Sequence, residues 1–166
     1  MSIVMPLREF ERIKALKRFL DIEFTREPEL QKIVEIAAEI CECPIALITL
    51  IDEDKQHIRF RTGTELQETK RSDAFCNHTI RDGQTLIVAN AELDGRFTSN
   101  PLVTGEPNIR FYAGAPLVTV DGESLGSLCV IDTKARLLSE YQKRMLEFLR
   151  GQAMNLLEFE ASVSIL

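Results

Sequence analysis

Leu7, Phe10, Ile13, Leu16 and Leu20 recur every three or four positions among Arg, Glu and Lys. That spacing predicts an amphipathic helix after Pro6, burying one narrow stripe. Beyond Thr25, a residue type suited to capping, Leu30, Ile33, Val34, Ala37, Ile40 and Cys41 form a wider apolar face that stops before Pro44. A second helix should therefore lie flat on a sheet. The period then changes. Ile45 to Ile51 is almost unbroken and rich in β-branched residues, the pattern of a central strand covered on both faces. After Asp52-Glu53-Asp54-Lys55 the segment Gln56 to Arg61 alternates, placing Ile58 and Phe60 on one face and His57, Arg59 and Arg61 on the other. This predicts an antiparallel partner for the first strand.

Further along, Ser72 or Asp73 is placed to cap a short helix carrying Phe75, Cys76, Thr79 and Ile80, with Gly83 ending it in a left-handed conformation. Thr85 to Ala89 reads as a third strand. Asn90 to Asn108 is a connection containing Gly95, Pro101, Gly105 and Pro107. Irregular segments beyond about 12–15 residues are usually functional or internally packed, so this one is the candidate ligand lid. Ile109 to Val120 and Ser124 to Ile131 bracket Asp121-Gly122, a hairpin signal. Parity puts Phe111, Ala113, Ala115 and Leu117 on one face and Arg110, Tyr112, Gly114 and Pro116 on the other. Pro116 cannot donate to a ladder and marks an edge, a bulge or an interruption. Ser139 and Gln142 form a capping box for a last helix whose apolar residues cover more than one stripe. Leu146, Leu149, Ala153 and Leu156 have coiled-coil spacing, which predicts a homodimer through the terminal helices.

Composition narrows the partners. With 166 residues, net charge −6 and a pI near 5.1, the chain is sized for one domain, and nucleic acid or an anionic membrane surface would be repelled. It divides into an N-terminal helix (1–26), a core (27–137) and a C-terminal signalling or dimer helix (138–166). No apolar run approaches the ~20 residues of a membrane span, and no secretory signal follows Met1, so a cytoplasmic location is expected. Cys41, Cys43, Cys76 and Cys129 lie in or beside apolar segments, as reduced, buried thiols do. With His57 and His78 the only histidines, no metal-ligand spacing emerges.

Candidate chemistry is sparse. Cys76 and His78, two apart on a helix, point away from each other and cannot share a proton. Cys76 near a helix start is either a reactive thiol or a small buried apolar residue. Asp94 and Arg96 flank Gly95, set either to bind a polar ligand or to pin the loop as an ion pair. Arg110 and Tyr112 offer a cation, a hydroxyl and a ring on one strand face. The ligand-binding candidates are therefore Phe75, Cys76, Thr79, Asp94, Arg96, Phe97, Arg110, Tyr112 and Cys129. No catalytic constellation is recognised, no cofactor is identified, and a thiol redox role for Cys76 or Cys129 stands as the alternative, with a ligand-free dimerisation module as another.

The ordered segments Phe75-Cys76-Asn77-His78-Thr79-Ile80, Asp94-Gly95-Arg96-Phe97, Arg110 to Leu117 and Gly126 to Asp132 together resemble the GAF domains found at the N-terminus of bacterial sensor histidine kinases and diguanylate cyclases. The resemblance runs from about Glu29 to Phe159. It implies an α+β, PAS-like fold: an antiparallel sheet of five or six strands, N- and C-terminal helices on one face, and a short helix and long loops over a small-molecule pocket on the other. It also implies a non-enzymatic sensory module, either part of a longer chain with a kinase or cyclase output domain or a stand-alone sensor acting in trans. The Asn-Lys-Phe-Asp-Glu set of cyclic-nucleotide-binding members, the chromophore cysteine setting of bilin-binding members and the cysteine loop of the free methionine sulfoxide reductases are not recognisable here.

Overall fold

Seven consecutive buried residues, Ile45–Ile51, form strand β1 at the centre of the molecule. The computed structural model describes residues 7–24 and 27–164. Helices α1 (Leu7–Leu20) and α2 (Glu27–Cys41) precede β1, and β2 (Lys55–Thr62), β3 (Glu68–Lys70), α3 (Cys76–Asp82), β4 (Leu86–Val88), α4 (Pro101–Thr104), β5 (Phe111–Val118), β6 (Ser124–Asp132) and α5 (Glu140–Ser164) follow. The strands make one six-stranded sheet in the order β3-β2-β1-β6-β5-β4, antiparallel at every pairing. This is the α+β fold that the apolar pattern and the family resemblance predict.

Two apolar layers sandwich the sheet. On one face Ala46, Ile48, Leu50, Phe111, Ala113, Ala115, Leu117, Leu128 and Val130 pack against α1, α2 and α5. The small residues of β5 let helices sit close, as parity predicts. On the other face Ile45, Leu47, Tyr112, Cys129 and Ile131 pack under α3 and the long connection. Alternation along β5, and along β6 from Leu128 to Ile131, therefore sends neighbouring residues into different layers.

Several elements differ from their sequence-based expectation. Ile58 and Phe60 do not share a face. The β1–β2 register skips between Ile48↔Phe60 and Thr49↔Ile58, so Arg59 is the extra residue of a bulge, and a bulge reverses parity beyond it. Ile58 joins the loop-side layer and Phe60 the helix-side layer. The displaced Arg59 reaches the C-terminal carbonyls of α1, donating to Leu20 O at 3.1 Å, the end of a helix that favours a cation. Along α1 the buried stripe is Arg12, Ile13, Leu16 and Phe19, while Leu7 and Phe10 are exposed.

Neither Ser72 nor Asp73 caps α3. Residues Arg71–Asp73 form their own 3-10 turn, and Phe75 already has helical backbone angles with no side-chain cap. The first amides of α3 bond back to Ala74 and Phe75 carbonyls instead. Gly83 does end α3 left-handed, at φ 67°. The capping box forms both ways: Ser139 N–H donates to Gln142 Oε1 at 3.0 Å and Gln142 N–H to Ser139 Oγ at 3.1 Å. Pro116 lies past the last β4 partner, Gly114, on the free edge of β5. The coiled-coil positions Leu146, Leu149 and Ala153 are buried in the chain's own core. The exposed large apolar residues of α5 are Tyr141, Phe148, Phe159 and Val163. Pro6 and Thr25 lie outside the described residues.

Candidate ligand pocket

Residues of β1 and β6 build the floor of a cavity. Ile45 and Leu47 come from β1, Cys129 and Ile131 from β6, Tyr112 from β5, and Gln56 and Ile58 from β2 on the near side of its bulge. Phe75 and Cys76 close one wall, and Thr64, Leu66 and Thr69 with Leu102, Pro107 and Ile109 frame the mouth. The cavity measures about 40 Å³. A water needs roughly 10–15 Å³ and a drug-sized ligand several hundred, so the pocket is closed down to the size of a few waters.

One buried polar cluster sits at its inner end. Tyr112 O–H donates to Cys76 Sγ at 3.2 Å, and Thr79 Oγ1 lies 2.9 Å from the phenol oxygen. Because the phenol has a single proton, Thr79 is the donor in that pair. Ser127 Oγ is 2.8 Å from Cys76 Sγ, and Cys129 Sγ is 4.0 Å away. Thr49 Oγ1 accepts from Ser127 N–H at 3.3 Å, closing the network from β1. The loop-side layer thus contains donors aimed at a single sulfur.

That convergence sets the protonation. Burial pushes the Cys76 thiol up, but donors from Cys129, Ser127, Thr49 and Tyr112 outweigh it and bring it down to about 6. Its hydrogen bond with Cys76, together with burial, pushes Cys129 well up. Burial and the negative charge favoured at Cys76 do the same to Tyr112. The cluster titrates as a unit in which Cys76 loses its proton first. By contrast burial raises Cys41 to about 11 and Cys43 to about 12.

The nine sequence-predicted site residues separate into three groups. Phe75, Cys76, Tyr112 and Cys129 line the cavity. Thr79 and Phe97 stand behind it, Thr79 holding Tyr112 and Phe97 stacking on Phe75 with centroids 4.0 Å apart and planes within 5°. Asp94, Arg96 and Arg110 are elsewhere. Asp94 and Arg96 form a local ion pair at 2.7 Å on the loop surface, the loop-pinning arrangement. Arg110 is a staple for the long connection, donating to Val103 O at 2.9 Å and Ile109 O at 3.1 Å and pairing with Glu92. Their polar groups are satisfied within the loop that carries them. His78 stands edge-on to Phe97, its Nδ1 2.7 Å from Arg81 Nη2, and burial with the nearby Arg81 and Arg96 lowers its pKa. Among the described residues no three His, Cys, Asp or Glu side chains are grouped to hold a metal, and no helix is long and apolar enough to cross a membrane.

This fold is shared with known proteins. The GAF domain profile matches residues 25–157. The chain belongs to the GAF family. A cyclic di-GMP phosphodiesterase of Pseudomonas aeruginosa is 47% identical over 118 residues, 70% of this chain but 20% of that enzyme. The chain therefore spans about a fifth of the length of that relative. Among solved structures, the GAF domain of a phosphoenolpyruvate-protein phosphotransferase from Coxiella burnetii superposes with TM-score 0.70 at 14% identity, covering 96% of this chain and 98% of that one. The free methionine-R-sulfoxide reductase of Neisseria meningitidis superposes with TM-score 0.67, also at 14% identity, covering 100% and 98%. At such identities these two establish the fold alone.

Proposed function

We propose that this GAF domain is a non-catalytic input module of cyclic di-GMP signalling, binding a small molecule in the loop-roofed pocket and relaying occupancy through α1 and α5 to a catalytic output. The supporting observation is the 47% identity to one fifth of a cyclic di-GMP phosphodiesterase, the share expected of a regulatory segment. The architecture suits the relay. Cys129 faces the cavity while its neighbours Leu128 and Val130 face the helix-side layer, so a displacement of β6 by a ligand is felt under α5. The long connection, through Leu102 and Pro107, would act as the lid that opens the contracted cavity. A ligand can shift the helices only by preferring one of their arrangements.

A homodimer would give such a shift a readout. The exposed Tyr141, Phe148, Phe159 and Val163 recur along one side of α5 and replace the buried Leu146 set as the proposed seam. The reading is tested by incubating the isolated chain with cyclic di-GMP. The expected result is no hydrolysis; turnover that survives further purification of the chain would overturn the regulatory assignment.

A further inference from the structure

Two cysteines distant in sequence meet at the inner wall of the cavity. Cys76 begins α3 and Cys129 lies in β6, with their sulfurs 4.0 Å apart and both side chains lining the same cavity. Neither contacts bulk solvent, at 2% and 0% exposure, so a reactant must come through the mouth between Thr64, Leu66, Thr69 and Pro107. At about 40 Å³ the space admits a molecule of two heavy atoms and excludes a bulky disulfide such as oxidised glutathione.

We propose that Cys76 and Cys129 form a peroxide-reactive dithiol site, in which hydrogen peroxide entering the cavity converts the pair into an intramolecular disulfide. Cys76 is the attacking sulfur, because the hydroxyls of Ser127 and Tyr112 lie at 2.8 and 3.2 Å from it and donors to sulfur favour the thiolate. The thiolate attacks one peroxide oxygen and the O–O bond breaks. The departing hydroxide takes up a proton from solvent, equal to the one Cys76 released on ionising, and leaves as water, so Cys76 becomes a sulfenic acid. Cys129 sulfur then attacks Cys76 sulfur, the S–O bond breaks, and the hydroxyl leaves as a second water with the Cys129 proton. Two thiols have supplied two electrons and two protons to one peroxide. The disulfide ties the start of α3 to the centre of β6 across the wall of the cavity. This site stands independently of whichever ligand the pocket takes.

Cys41 and Cys43 are an internal control: both are buried on the helix side of the sheet, away from the cavity. The test treats native protein with hydrogen peroxide, blocks remaining thiols under denaturing conditions and maps the cysteines by mass spectrometry without reduction. The expected product is a Cys76–Cys129 cross-linked peptide pair, formed at least about tenfold faster than any oxidation of Cys41 or Cys43. In Cys129→Ser the reaction should stop at a Cys76 sulfenic acid, which dimedone traps when the protein is then unfolded in its presence. In wild type, unfolding the protein in dimedone soon after peroxide is added should intercept the same Cys76 intermediate, a check that needs no variant. Oxidation at equal rates in all four cysteines, or Cys76 and Cys129 both recovered as thiols, would overturn the proposal.

Discussion

Tyr112 is the residue on which the pocket side turns. Its side chain lines the cavity, and its hydroxyl joins Thr79 to Cys76, both of α3. The ring lies over Gly114, where an added Cβ would come within 2.0 Å of the Tyr112 hydroxyl oxygen. Gly114→Ala should therefore push the phenol out of its network and leave buried hydroxyl and thiol groups unpaired. A loss on the order of 2–3 kcal/mol in urea unfolding is expected; an unchanged midpoint would show that the ring is not fixed there. Of the binding candidates named from the sequence, Phe75, Cys76, Tyr112 and Cys129 line the cavity. Asp94, Arg96 and Arg110 lie away from it, their charged groups bonded to carbonyls and partners nearby in the chain. Thr64, Leu66 and Thr69 carry no sequence signal, because their place at the mouth depends on how the chain returns from β2 to β3.

The elements read best from the sequence were those with one strong period. The run of β1, the alternation of β5 and the reciprocal cap of α5 each correspond to an observed element. Those missed depend on distant partners. Glu-Thr-Lys of β3 has no apolar period and is a strand only because Lys55, Gln56 and His57 pair with it, and the bulge at Arg59 is fixed by the reach of that side chain to α1. A second long-range tie joins α1 to the pocket side. Glu9 accepts from Arg12 at 3.0 Å and also bonds Arg71, which itself donates to Asn77 of α3 at 2.8 Å. Burial pushes the Glu9 carboxyl up, but the guanidinium hydrogen bonds of Arg12 and Arg71 dominate and hold it at about 2, below its ordinary 4.5. A carboxylate depressed in the folded state stabilises above its unfolded pKa and loses that contribution as pH falls through the folded one. The stability advantage of wild type over Glu9→Gln should thus be full above pH 4.5 and fade towards pH 2. A constant difference across that window would show that the ion pairs contribute nothing to folding.

At the level of the entire chain, the sheet is a partition between two apolar layers with different tasks. The helix-side layer is continuous from α1 to α5, whereas the loop-side layer contains the cavity and the hydrogen-bonded thiol cluster. A strand that moves for a ligand on one side must move for the helices on the other, and this is the physical content of the sensory proposal. It requires that the contracted pocket open to take a molecule larger than a few waters. Native mass spectrometry beside denaturing spectra tests that requirement most directly, on protein as purified and after incubation with the small-molecule fraction of a bacterial lysate. The expected result is a dimer carrying an additional small mass that denaturation removes. Equal native and denatured subunit masses in both preparations would contradict it.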